Sequence, residues 1–123
     1  MADPILVVDD DKKILKMLEF HLVSEGFDVV TAKNGDEFRL KALSEKPRLI
    51  ILDIMLGTEN GALIYNELLL SGLDRQIPVI FLTALAEDRP PSPAGPGHTY
   101  ALYSKPFDSD KLVREIHSRL LVR

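Results

Sequence analysis

Three unbroken apolar tetrads punctuate the chain: Ile5-Leu6-Val7-Val8, Leu49-Ile50-Ile51-Leu52 and Val79-Ile80-Phe81-Leu82. They are too short for helices and too apolar for half-exposed strands, so they predict strands buried on both faces, as in a parallel sheet. Val29 to Ala32 and Tyr100 to Ser104 read as two further strands. Between the strands the spacing turns helical. Ile14, Leu15, Leu18 and Leu22 mark a first amphipathic helix, with Asp11 suited to its N-cap and Gly26 to a left-handed stop. Asn34-Gly35 reads as a turn, and Phe38, Ala42 and Leu43 mark a short second helix that must end before Pro47. A third helix runs from about Ala62 to Ser71 and ends at Gly72. Its apolar positions nearly encircle it, which predicts heavy burial. Leu112, Val113, Ile116 and Leu120 mark the last helix, with Asp108 and Ser109 as candidate caps. Strands alternating with helices predict an α/β fold, with right-handed crossovers and helices on both faces of the sheet.

Parallel strands would collect Asp9, Asp10, Asp53, Thr83 and Lys105 at their carboxyl ends, the rim where open α/β sheets bind ligands. Singly, each has an ordinary reading: Asp53 as the start of a turn, Asp10 as a helix cap, Lys105 as a solvated charge. Together they suggest chemistry. Clustered carboxylates repel, and without a counter-charge at least one pKa should rise. A hard divalent cation such as magnesium relieves that repulsion through one or two carboxylates, waters and phosphate oxygens. Lys105 offers a compact positive charge for a phosphoryl oxygen, and Thr83 a hydroxyl donor. One carboxylate then remains as a nucleophile toward phosphorus.

Composition narrows the classes. The 123 residues suit a single domain, 1–123, with one core. A net charge of −4 with no basic block argues against a nucleic-acid footprint. The absence of cysteine excludes disulfides and thiolate metal sites and suits a reducing compartment. No apolar run approaches a membrane span, and Met1-Ala2-Asp3-Pro4 has neither a basic start nor a long apolar region. The expectation is a cytoplasmic soluble domain with no membrane partner.

Asp-Asp after the first strand, Asp after the third, Thr-Ala after the fourth and Lys-Pro-Phe after the fifth resemble, in order and placement, the response-regulator receiver domain of two-component signalling. The resemblance spans Ile5 to Leu120. It implies a flavodoxin-like five-stranded parallel sheet of order 2-1-3-4-5, with the site where the strand order reverses. By matching position, Asp53 resembles the phospho-acceptor, and Asp9 and Asp10 the metal-holding acidic pair. Asp53 and the Met55 carbonyl would complete the ligands of Mg2+ or Mn2+. Thr83 resembles the switch hydroxyl and Lys105 the phosphate-contacting lysine, with a cis Lys105–Pro106 bond. The implied partners are a histidine kinase or histidine phosphotransfer protein, from which Asp53 takes the phosphoryl group, and an output protein or domain that the chain does not name. Self-phosphorylation and self-dephosphorylation would be its only chemistry, so it is not an enzyme in the ordinary sense.

Two departures from the family matter. The aromatic switch position, three residues before the lysine, is Leu102; Tyr103 is one place later and alternation points it to the opposite face. Gly57 stands where the loop after the acceptor commonly has proline. Pro90, Pro91, Pro93 and Pro96 with Gly95 and Gly97 disfavour the family's fourth helix, at roughly 3 kcal/mol for each interior proline. A Pro/Gly-rich loop, with at most one turn near Leu85 to Asp88, is expected instead. It would leave one side of Phe81, Tyr100 or Leu102 as a partner-dependent surface, a homodimer being one outcome. The chain reads as a stand-alone receiver or a piece of a longer protein. A rival reading is a pseudo-receiver that binds protein partners constitutively. Another is an aspartyl phosphatase of the haloacid-dehalogenase type, for which the chain is short. His21 and His117 read as surface residues, and nothing around His98 supports a phosphohistidine.

Overall fold

Each apolar tetrad becomes a strand, and the first two strands and the last each hand the chain directly to a helix. The structure, a computed structural model, describes residues 3–84 and 100–121. The elements are β1 (Ile5–Val8), α1 (Lys12–Ser24), β2 (Val29–Ala32), α2 (Gly35–Ser44) and β3 (Leu49–Asp53), then a two-stranded hairpin of β4 (Met55–Leu56) and β5 (Glu59–Asn60). After these come α3 (Gly61–Leu70), β6 (Val79–Thr83), β7 (Tyr100–Ser104) and α4 (Ser109–Leu121). The main sheet has the order β2-β1-β3-β6-β7, every pairing parallel, which is the 2-1-3-4-5 flavodoxin-like order expected of the five main strands. The expected Pro/Gly-rich loop in place of a fourth helix lies outside the described residues.

Alternation divides the strand side chains between two cores. Leu6, Val8, Ile50, Leu52, Val79 and Phe81 pack against Phe38 and Ala42 of α2 and Ile64, Tyr65 and Leu68 of α3. Ile5, Val7, Leu49, Ile51, Ile80 and Leu82 pack against Leu15, Leu18 and Leu22 of α1 and Leu112 and Ile116 of α4. Burying one such side chain is worth about 1.5–3 kcal/mol, so both faces are strongly held.

The helix ends follow their capping residues. Asp11 accepts the Lys13 N–H at 2.9 Å and starts α1. Gly26, at φ +92°, ends it: its N–H reaches the Val23 carbonyl at 3.0 Å and the Phe27 N–H reaches Leu22 at 3.1 Å. That pair of bonds needs a left-handed residue at Gly26, which costs a glycine nothing. Asp108 caps α4, accepting the Asp110 N–H at 2.9 Å.

Three sequence readings are corrected. Asn34-Gly35 is not a free turn: Asn34 caps α2 by accepting the Glu37 N–H at 2.8 Å, and Gly35 is its first residue. A glycine there looked like a turn signal, yet Asn is equally an N-cap residue. Burial of α3 is one-sided, because Leu63 and Leu70 share an outward stripe and are 54% and 85% exposed. The segment after Asp53 is a short antiparallel hairpin rather than a plain loop. Among the other expectations, Phe81 is fully buried and Leu102 partly buried. His117 is half-exposed, beside Glu25 at 3.6 Å with its ring near Phe27. Lys41 on α2 reaches across to the Thr31 carbonyl of β2 at 2.5 Å.

Candidate functional site

The carboxyl ends of β1, β3, β6 and β7 meet on one rim, and the charged side chains expected there converge. Asp9 directly follows β1 and is fully buried. Its Oδ1 accepts the Asp11 N–H at 2.9 Å, and its Oδ2 meets Lys105 Nζ at 2.8 Å. Asp53 ends β3, also buried; its Oδ1 accepts the Met55 N–H at 3.1 Å and its Oδ2 accepts from Lys105 Nζ at 3.0 Å. One ammonium therefore bridges two buried carboxylates. Lys105 is brought there by the end of β7, where its N–H bonds the Thr83 carbonyl at 2.7 Å and its bond to Pro106 is cis.

Asp10 completes the cluster from the exposed side, with Oδ2 accepting the Gly57 N–H at 3.0 Å. Oxygens of Asp9, Asp10 and Asp53 lie within 4.8 Å of one another. Burial, and next the Asp9 charge, push the Asp53 carboxyl up to about 6, against the pull of Lys105. Burial pulls Lys105 down, but its hydrogen bonds to Asp9 and Asp53 and their charges outweigh it, and the ammonium is held above its usual range.

This donor set fits a hard divalent cation. Three carboxylates face one lysine, which leaves net negative charge at a partly dry site, and all the side-chain donors are oxygen. Met55 lies beside Asp53 through its backbone N–H. Thr83 is buried at the end of β6, one residue beyond Leu82, the register partner of Asp53. The structure thus brings Asp9, Asp10, Asp53 and Lys105 together and places Met55 and Thr83 next to them.

Two neighbours have roles at the site that the sequence reading missed. Gly61 opens α3 with its N–H on the Ile54 carbonyl at 2.6 Å, and a Cβ there would run into the Asp53 backbone carbonyl and the Leu52 side chain. A glycine is what lets α3 start against the Asp53 backbone. The pair Asn60-Gly61 was the available signal, since Asn60 caps α3 by accepting the Ala62 and Leu63 N–H groups at 2.9 and 3.2 Å. The second is Gly57, at φ +61°, whose N–H holds Asp10.

The two residues before Ser104 face opposite ways, as alternation requires. Leu102 packs with the α2/α3 cluster, while Tyr103 packs with the α1/α4 cluster. The Tyr103 hydroxyl lies 3.3 Å from Glu115 Oε1 and 3.4 Å from the Lys111 carbonyl, both on α4. Among the described residues, no helix is long and apolar enough to cross a membrane.

Comparison with known proteins agrees with this geometry. The family model described as "Response regulator receiver domain" matches residues 5–117. The alkaline phosphatase synthesis transcriptional regulatory protein PhoP of Bacillus subtilis is 41% identical over 88 residues, covering 72% of this chain and 36% of that protein. The transcriptional regulatory protein GlrR of Escherichia coli is 34% identical over 116 residues, 94% of this chain and 26% of its own length. The chain thus spans about a third or less of these curated relatives. Among solved structures, a CheY-like receiver domain protein from Methanospirillum hungatei superposes with a TM-score of 0.85 at 26% identity, covering 98% of this chain and 94% of that one. The receiver domain of NtrX from Brucella abortus gives 0.82 at 26% identity, covering 97% and 99%. The chain belongs to the response regulator receiver domain family, the signalling module of two-component response regulators.

Proposed function

We propose that Asp53 accepts a phosphoryl group from the phosphohistidine of a histidine kinase or a histidine phosphotransfer protein. The observation that carries this reading is Lys105 Nζ suspended between Asp9 at 2.8 Å and Asp53 at 3.0 Å. A fixed cation already touches one oxygen of the proposed acceptor carboxylate. In the transfer an Asp53 carboxylate oxygen forms the new O–P bond, the histidine N–P bond breaks, and the imidazole nitrogen keeps the electron pair. Lys105 is placed to turn from the carboxylates to a phosphoryl oxygen, and the Thr83 hydroxyl to donate to another. Positioning and charge neutralisation carry the acceleration.

Asp9, Asp10, Asp53 and the Met55 carbonyl are the ligands proposed for Mg2+ or Mn2+, which when bound would neutralise phosphoryl charge at the rim. Residues 1–123 act in this reading as a single receiver domain. The output partner is another protein or another part of a longer chain; the matched relatives carry the name of transcriptional regulators.

Incubation with acetyl phosphate should add one phosphoryl mass, only with magnesium or manganese present, and Asp53→Asn should remove it. Labelling of Asp53→Asn at the wild-type rate would place the acceptor elsewhere. A second reading, a pseudo-receiver that binds partners without switching, is favoured by Leu102 at the aromatic position. Unchanged amide spectra on adding beryllofluoride, in a protein that still accepts the phosphoryl group, would select it.

A further inference from the structure

The hairpin between Asp53 and α3 touches the acidic cluster through its turn and α2 through its second strand. At its turn, Gly57 donates to Asp10 Oδ2 at 3.0 Å. Asp10 is the exposed member of the cluster and has no burial to hold it. Four residues before the start of α3, the backbone of this turn supplies the restraint instead.

The strand that leaves the turn is itself anchored. Glu59 Oε2 meets Arg39 Nη2 of α2 at 3.1 Å. Its other oxygen lies so close over Gly35 that a Cβ on Gly35 would strike it, and Ile64 Cδ1 closes the same space at 2.8 Å. Gly35 and Arg39 are four residues apart, on one face of α2, so the Glu59 carboxylate is seated between a gap and a guanidinium. Arg39 Nε also reaches Glu67 of α3 at 3.4 Å, and its Nη1 reaches Asp36 at 3.4 Å. The Arg39 side chain, 36% exposed, therefore joins α2, the hairpin and α3.

We infer that Arg39 and Glu59 are positioning residues for the divalent cation, seating the Met55–Asn60 hairpin so that the Gly57 N–H aims the Asp10 carboxylate into the cluster. This rests on the cation reading of the site given above. Neither residue touches the cluster. The Gly57 bond occupies one Asp10 oxygen and leaves the other to the metal. Groups that orient a metal ligand commonly alter affinity about 10–100-fold, and these act one step further out.

Two explanations of any effect separate by sign. If Arg39 and Glu59 act only through long-range charge, removing the cation should tighten magnesium binding and removing the anion should weaken it. If they act by seating the hairpin, both changes weaken it. Calorimetric titration of magnesium into the wild type, Arg39→Leu, Glu59→Gln and the double variant, at high ionic strength to screen distant charge, reads this directly. Each single variant should lose about threefold to tenfold in affinity, and the double variant no more than the weaker single one. Arg39→Lys should recover part of the loss. Glu59→Gln keeps the side-chain shape, so it guards against a variant that merely misfolds.

In chelator, the Gly57 amide should exchange faster in both single variants than in the wild type, while α1 amides stay unchanged. In an Asp10→Ala background, Arg39→Leu should have no further effect on metal affinity. Opposite signs for the two single variants, additive losses, or unchanged Gly57 exchange would overturn the inference while leaving the cation site standing. A wild type that binds no magnesium would instead remove the cation reading, and the inference with it.

Discussion

The two faces of the sheet are closed differently. On the α2/α3 face the core contains three large rings, Phe38, Tyr65 and Phe81, with Tyr65 and Phe81 edge-on at 6.1 Å between centroids. On the α1/α4 face the buried strand side chains are all aliphatic, and the aromatic rings stand at its margins. Phe27 lies beside His117 and under Arg48 there, and the Tyr103 hydroxyl bonds α4. Neighbouring residues on one strand therefore report on different surroundings: Phe81 on interlocked rings, Ile80 on an aliphatic layer, Leu102 on the first face and Tyr103 on the second. The face carrying the family's usual aromatic switch position has an apolar side chain there. The opposite face has a polar contact between β7 and a helix.

The largest expected effect tests the ring-packed face. Phe81→Ala should destabilise the domain by about 3–5 kcal/mol in urea unfolding, because rigid neighbours cannot close the cavity. On the aliphatic face, Ile80→Val should cost only about 0.5–1.5 kcal/mol. Equal losses in the two would dissolve the contrast.

The rim between the faces should show a pH signature in chelator. The folded Asp53 carboxyl sits near 6, above its ordinary 3.8. A raised carboxyl means that the folded state holds a proton which the unfolded state has released, so stability should fall as pH rises from about 4 to about 6. Asp53→Asn should flatten that slope and gain stability above it. Lys105, raised from 10.5, contributes stability present below that pH and lost far above this window. A slope of the opposite sign would mean that the Lys105 bridge outweighs burial and the Asp9 charge.

The smallest effect concerns β7. Tyr103→Phe should cost about 0.5–1.5 kcal/mol and speed amide exchange in the first turns of α4, while Leu102→Val should leave those amides untouched. Equal responses from both variants would show that β7 couples to α4 through its backbone rather than through the hydroxyl.

Much of this was legible in the sequence for local reasons. An apolar tetrad closed by a carboxylate defines both a buried strand and its exit, so Asp9 and Asp53 could be placed from four residues each. Lys105 could be placed because the last strand ends there. The misreadings also have local causes. Asn34 can cap or turn, and only the first α2 turn decides between them. The α3 sequence has enough leucine for all sides, but only neighbours can say that Leu63 and Leu70 face outward. The Glu59–Arg39 pair joins residues on different elements, and neither has a pattern of its own. Gly35 and Gly61 look like ordinary turn glycines until Glu59 and the Asp53 carbonyl are found where their side chains would be.

The lysine on α2 has a consequence for how the molecule behaves in a crowd. β2 is an outer strand of the main sheet. Its Asp28-side and Ala32 carbonyls turn inward, taken by the Ile5 and Asp9 N–H groups at 2.8 and 3.1 Å. Alternation leaves the Thr31 carbonyl on the open side, and the Lys41 ammonium covers it. A foreign strand seeking to extend the sheet at β2 would have to displace a charged side chain from the acceptor it needs. Lys41 thereby opposes edge-to-edge pairing at β2, at a place remote from the acidic cluster.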